Sequence, residues 1–194
     1  VLGSRGLGDV YKRQKELLRR NFHFSSRLLT KIKQQDLAKL NDLPVRGWMV
    51  PKPGDKLTVT LPEETSDFPP EDIPISVVFE DKELLVINKQ PGFVVHPTKG
   101  KPFHTMANGI AKKMADDGES YKIRFANRLD MNTSGLLIVA KNGFVQERII
   151  RQMKAGITEK RYLAVLDGII AENEGSVDAP IGLSLIHISE PTRP

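Results

Sequence analysis

Apolar positions recur at helical spacing in three places along the chain. After Ser25 and Ser26, either of which can serve as a cap, Leu28, Leu29 and Ile32 form a stripe that predicts a helix to about residue 35. Met106, Ile110 and Met114 mark a second helix, over about 105–116. Val145, Ile149 and Met153 are the inward positions of a third, capped by Asn142 and stopped at Gly156. Elsewhere the pattern has period two, or runs apolar for a few residues, and predicts strands. Leu57, Val59 and Leu61 alternate with Thr58 and Thr60 after Val45, Val50 and a turn at Pro53-Gly54-Asp55. Residues 76–79 and 84–87 flank an acidic turn, and Phe93-Val94-Val95 follow a tight turn at Pro91-Gly92. Leu136 to Ala140 is an apolar run, and residues 158–166 form one more candidate strand.

Composition narrows the class. The chain has 194 residues, 39% of them hydrophobic, no Cys and a formal charge of +5. Without Cys there is no disulfide framework and no thiolate metal site, and a reducing compartment is the natural setting. The four histidines, His23, His96, His104 and His187, lack ligand-like spacing, so no metal chemistry is expected. No apolar stretch approaches the roughly eighteen residues of a membrane span, and residues 1–20 hold no apolar core of a signal peptide. A cytoplasmic, membrane-free protein is expected.

Charge then divides the chain into modules. Residues 1–62 carry 13 Lys and Arg against 5 Asp and Glu, residues 63–83 carry 1 against 8, and the remainder 15 against 11. A basic module at 15–62, an acidic Pro-containing linker at 63–75 and a body at 76–183 are expected. The linker's Phe68-Pro69-Pro70 and Ile73-Pro74 keep it out of helix. The two ends, 1–14 and 184–194, have no amphipathic period or cap and resemble translated sequencing-adapter sequence. They are expected to be non-native and are excluded from fold reasoning.

Candidate chemistry concentrates at Asn127-Arg128-Leu129-Asp130-Met131-Asn132-Thr133-Ser134-Gly135, a polar run that empties into the apolar 136–140. Asp130 is thereby set on a loop at the mouth of a sheet, where reactive groups tend to lie. By spacing alone it reads first as a turn residue bonding its own backbone, and what favours chemistry is the resemblance below. Arg27, Lys31 and Lys33 project from the first helix, with Arg27 and Lys31 four apart on one face. Such a face is either solvated or suited to a phosphate backbone. His96, with nothing to orient it as a base, is read as structural.

Three of these stretches carry a resemblance. Arg128-Leu129-Asp130, then Thr133-Ser134-Gly135-Leu136 and the strand ending at Ala140-Lys141, looks like the catalytic motif of RluA-type RNA pseudouridine synthases. Lys89-Gln90-Pro91-Gly92 before His96-Pro97 is similar to a second motif of that family, and Lys160-Arg161-Tyr162-Leu163-Ala164 to a third. Many members have His where Asn127 stands, a position flanking the chemistry. The order helix, hairpin, Pro53-Gly54-Asp55, closing strand resembles an S-four-type RNA-binding module, although Asn41-Asp42 stands where Asn-Gly would suit the hairpin better.

The resemblance implies an α+β fold: a small N-terminal RNA-binding module, then part of a catalytic domain with a mixed, mainly antiparallel sheet. It implies a bacterial, monomeric isomerase that converts uridine to pseudouridine without cofactor or metal, in large-subunit ribosomal RNA first and transfer RNA second. Asp130 would be the catalytic carboxylate, as the nucleophile or as the base that drives glycosidic cleavage, and Tyr162 would face the base. Arg128, Asn127, Arg27, Lys31 and Lys33 would bind RNA. The family's basic partner for the Asp lies in a later motif, so this chain by itself is expected to be inactive. Other classes remain: an RNA-binding protein without catalysis, or a glycosidase-like hydrolase, for which no second carboxylate sits in a matching motif.

Overall fold

The computed structural model describes residue 16 and residues 18–20, 22–46, 49, 51–169, 171, 173–176 and 178. Val50, the end segments 1–14 and 184–194, and most of 177–183 lie outside the described residues. The chain divides into two compact units, Val1–Glu159 and Lys160–Pro194.

In the first unit, α1 (Ser26–Gln34) opens the basic stretch. Ser25 caps it by accepting a bond from the Leu28 amide at 3.2 Å, and Leu28, Leu29 and Ile32 are buried as the stripe requires. β1 (Ala38–Leu40), β2 (Leu43–Pro44) and β3 (Leu57–Val59) follow, in an antiparallel sheet of order β2-β1-β3. Asn41 and Asp42 both adopt left-handed backbone, with φ of 49° and 66°, so the hairpin forms without glycine. Asn41 steadies that turn: its amide donates to Asp55 Oδ1 at 2.8 Å and its oxygen accepts from the Lys56 amide at 2.9 Å.

The larger sheet contains β4 (Ser76–Glu80), β5 (Leu84–Lys89), β6 (Arg124–Phe125) and β7 (Gly135–Ala140), in the order β4-β5-β7-β6. Every strand pair is antiparallel. One face packs on α2 (Met106–Asp116), where Leu85, Ile87, Leu137 and Val139 meet Met106, Ala107 and Ile110 with no side chain of the seven exposed. Asn108 ties the start of α2 to the linker. Its Oδ1 accepts from the Thr105 amide and hydroxyl, and its Nδ2 donates to the Pro69 carbonyl at 2.9 Å. Gly109 allows the closest approach, since a Cβ there would lie 2.9 Å from both Ile73 Cβ and Ile75 Cδ1. α3 (Gly143–Lys154) is capped by Asn142, which accepts from the Val145 amide at 2.9 Å.

Three expectations need correction. Phe93-Val94-Val95 is not a strand: Val94 makes an isolated parallel bridge to Thr105, and the carbonyls of Val94 and Val95 accept from the Met106 and Ala107 amides at the start of α2. The inward face of α3 is only half buried, with none of its residues in the core. Residues 158–166, expected as a strand, pair with no strand among the described residues, and Leu163 and Val165 are each 99% exposed. Strand-forming residue types are present, but a strand also needs a partner.

Candidate active site

The register of β5 and β7 builds the site. Lys89, the last residue of β5, pairs with Gly135, the first of β7, so the chain leaving one strand and the chain entering the other meet at one end of the sheet. Both flanks need unusual backbone there: Gly92 has φ of 90° and Gly135 of 122°. The Gly92 amide donates to the Met131 carbonyl at 2.8 Å, so the Pro91-Gly92 turn grips the Asp130 loop instead of starting a neighbouring strand.

Lys89 supplies the second hold. Its side chain is fully enclosed, and its ammonium donates to the carbonyls of Gln90 at 3.1 Å, Met131 at 2.9 Å and Thr133 at 2.7 Å. Those three bonds use all three protons of the group. Burial pulls the Lys89 pKa below the ordinary lysine value, while the negative charge of Asp130 pulls it back up. Sequence reasoning placed Lys89 in a motif but gave it no role in the site. Its signal was a lysine closing an apolar strand, directly before the Pro-Gly turn.

Asp130 itself is exposed on the loop. Its backbone carbonyl accepts from the Thr133 amide at 3.1 Å, closing a turn, but no described residue donates a hydrogen bond to its carboxylate. The turn is thus made by the backbone and the side chain is left to face solvent. Asn127 behaves otherwise: its Nδ2 donates to the Leu136 carbonyl and its Oδ1 accepts from the Ile138 amide, each at 2.9 Å. It continues the ladder of β7 past the end of β6 with a side chain.

Arg128 is exposed two residues before Asp130. The His96 ring stands edge-on to Phe125 at 4.6 Å and tilted to Phe68 at 6.1 Å. Burial against these rings, then the charge of Arg128, hold the His96 pKa below its ordinary value. The residue still reaches solvent.

The basic face of α1 divides. Arg27 and Lys33 are exposed, whereas Lys31 turns to the linker and donates to Glu64 Oε1 at 2.6 Å. Glu64 also pairs with Arg124, which is 10% exposed at its side chain, and lies 3.8 Å from Lys122. Burial works to raise the Glu64 pKa, but these three cations together hold it below the ordinary value. Arg27, Lys31, His96, Lys122, Arg124 and Gln146 share the lining of a cavity of about 450 Å³ beside this cluster.

Tyr162 belongs to the second unit and is 68% exposed there. Among the described residues, no three or more His, Asp or Glu cluster to hold a metal, and no helix is long and apolar enough to cross a membrane.

The site is thus an exposed carboxylate on a loop whose backbone is clamped by the 89–92 segment. The family model of RNA pseudouridylate synthases matches residues 83–192, and the chain belongs to that family. Its relatives give the particulars. It is 39% identical over 135 residues to RNA pseudouridine synthase YlyB of Bacillus subtilis, covering 68% of this chain and 45% of that one. It is 40% identical over 162 residues to YjbO of the same organism, covering 81% and 57%. To the ribosomal large subunit pseudouridine synthase D of Vibrio parahaemolyticus it is 36% identical over 145 residues, covering 71% and 44%. The chain spans about half the length of these curated relatives.

Proposed function

We propose that the full-length protein is an RNA pseudouridine synthase in which Asp130 is the nucleophile. The observation that carries this is the exposed, unbonded carboxylate of Asp130 on a backbone fixed by Lys89 and Gly92. A nucleophile held in place by rigid surroundings, with its lone pairs free, is what attack on a sugar carbon requires. Asp130 displaces uracil N1 from ribose C1′, C5 of the turned base then displaces the carboxylate to form the C1′–C5 bond, and C5 loses one proton while N1 gains one. No electrons are exchanged and no group is donated, so the isomerisation calls for neither redox cofactor nor carrier.

The uridine must leave its stack, at a cost of roughly a few kcal/mol. Arg128, exposed beside Asp130, fills the vacated space or holds the adjoining phosphate. Tyr162 stacks on the displaced base. Asn127 supports the loop from which these groups act. The substrate we assign is large-subunit ribosomal RNA, supported by relatives whose name specifies the ribosomal large subunit. That substrate places the enzyme in the bacterial cytoplasm, where it works as a monomer. In the same reading, residues 15–62 are an S-four-type RNA-binding module joined by the 63–75 linker to a catalytic domain covering 76–183. Arg27 and Lys33 meet RNA phosphates, and Lys31 both serves that surface and seats the module through Glu64.

The test is pseudouridine measured by mass spectrometry in ribosomal RNA incubated with full-length protein or its Asp130→Asn variant, without added metal or nucleotide. Turnover by the parent and none by the variant, with RNA affinity retained, is the expected result. Equal pseudouridine from both would overturn the assignment of Asp130. RNA binding with no pseudouridine from either protein would favour a binding protein without catalysis.

A further inference from the structure

Beyond the clamped loop stands a feature that the sequence did not single out. Thr98 and Lys101 pair as a tight antiparallel bridge: the Thr98 amide donates to the Lys101 carbonyl at 2.9 Å and the Lys101 amide to the Thr98 carbonyl at 3.1 Å. Lys99 and Gly100 form the tip, and all four residues are exposed. The Lys101 ammonium touches the Met131 thioether, one residue from Asp130. A thioether is a weak acceptor and carries no charge, so the contact positions the ammonium without neutralising it. Among the described residues, no carboxylate pairs with Lys99 or Lys101.

We infer that the Thr98–Lys101 hairpin is a cationic finger that grips the RNA phosphodiester beside the target nucleotide, through Lys99 and Lys101. The inference rests on the reading of Asp130 as the reacting group. A carboxylate repels the polyanion it must approach, and Lys89, the cation beneath it, is sealed away from solvent with its protons committed to the loop. Compensating charge must come from the surface around the loop. Arg128 provides one cation, and the hairpin brings two more on a backbone stiffened by its paired bonds. Preorganised cations lose less freedom on binding than lysines on a loose loop. Met131 also couples the two parts. Its carbonyl is held from within by Lys89 and Gly92, and its side chain is touched from outside by Lys101. The strand gripped by the finger is therefore registered against the residue next to Asp130.

The experiment uses full-length protein and ribosomal RNA. Lys99→Met and Lys101→Met remove one charge each while keeping the aliphatic stem and its packing. Lys82→Met, on the turn at the opposite end of β5, is the control. Affinity is measured between about 50 and 200 mM salt in an Asp130→Asn background, where binding is separate from turnover. Each hairpin variant should weaken binding several-fold at low salt. Each should also flatten the slope of log affinity against log salt by about 0.7 to 0.9, the share of one phosphate contact. The control should match its parent. If hairpin variants and control bind alike with equal slopes, the finger does not touch RNA and the inference falls, whatever the enzyme's activity. If the hairpin variants lose affinity while Asp130→Asn retains turnover, the grip stands and the catalytic assignment fails.

Discussion

The ammonium of Lys89 lies 2.7 Å from the carbonyl oxygen of Thr133, across 44 residues of chain, and joins the end of one strand to the loop that feeds its neighbour. A charged group this deep is expensive unless its surroundings satisfy it. Three carbonyls do so, and all three belong to the two segments that shape the Asp130 loop.

Replacing Lys89 with Met should therefore destabilise the fold by about 3 kcal/mol, because three buried carbonyls lose their donor while the side-chain volume is kept. Chemical denaturation of variant and parent measures this. In the folded fraction turnover should fall well over tenfold while RNA affinity changes little, since the loop loses its anchor and the surface keeps its cations. A variant as stable and active as its parent would show that the loop holds itself.

Asn127→Ala should cost about 1 to 2 kcal/mol, the penalty of leaving the Ile138 amide and the Leu136 carbonyl without their partner. The salt dependence of RNA binding should not change, because both polar ends of this side chain already face the backbone of β7. A flattened salt slope would restore Asn127 to the RNA-contacting residues that its place in the motif suggested.

Acid should loosen the seat of the basic module. The Glu64 pKa is depressed in the folded protein, so its contribution to stability is present above the ordinary value of 4.5 and is lost as pH falls through the folded value. Glu64→Gln should cost about 1 to 3 kcal/mol at pH 7, and the gap from the parent should close as pH falls below 4.5 and through the folded value. His96 has the same sign in another window, since its depressed pKa makes stability full above 6.5 and lower as pH falls through the folded value. Denaturant midpoints from pH 3 to 8 separate the two. A Glu64→Gln penalty that stayed constant across that range would exclude an ionic role.

The helices were legible because their signals are local. Ser25, Thr105 and Asn142 stand where their caps belong, and the stripes behind them supply the buried faces of α1 and α2. The Asp130 loop was legible too, since polar turn residues running into an apolar strand describe their own geometry. Strand partnership was not. Phe93-Val94-Val95 has strand chemistry, yet its carbonyls go to the start of α2, and nothing within those three residues reveals that choice. The anchoring role of Lys89 was not legible for a related reason. A lysine at a strand end ordinarily reaches solvent, and only the pairing of β5 with β7 encloses it.

That pairing also sets the order of events when the chain folds. Leu84 meets Ala140 and Lys89 meets Gly135, so the two central strands must find each other across the whole of α2 and its flanking loops. Closing so large a loop loses chain entropy before any contact compensates for it, and topologies dominated by such contacts fold slowly. The helices can flicker into shape early, each on its own caps. The Asp130 loop cannot, because its clamps arrive from the far strand. In a refolding experiment, recovery of helical signal would run ahead of recovery of the site, and the chain would hold its secondary structure for a time before it held its chemistry.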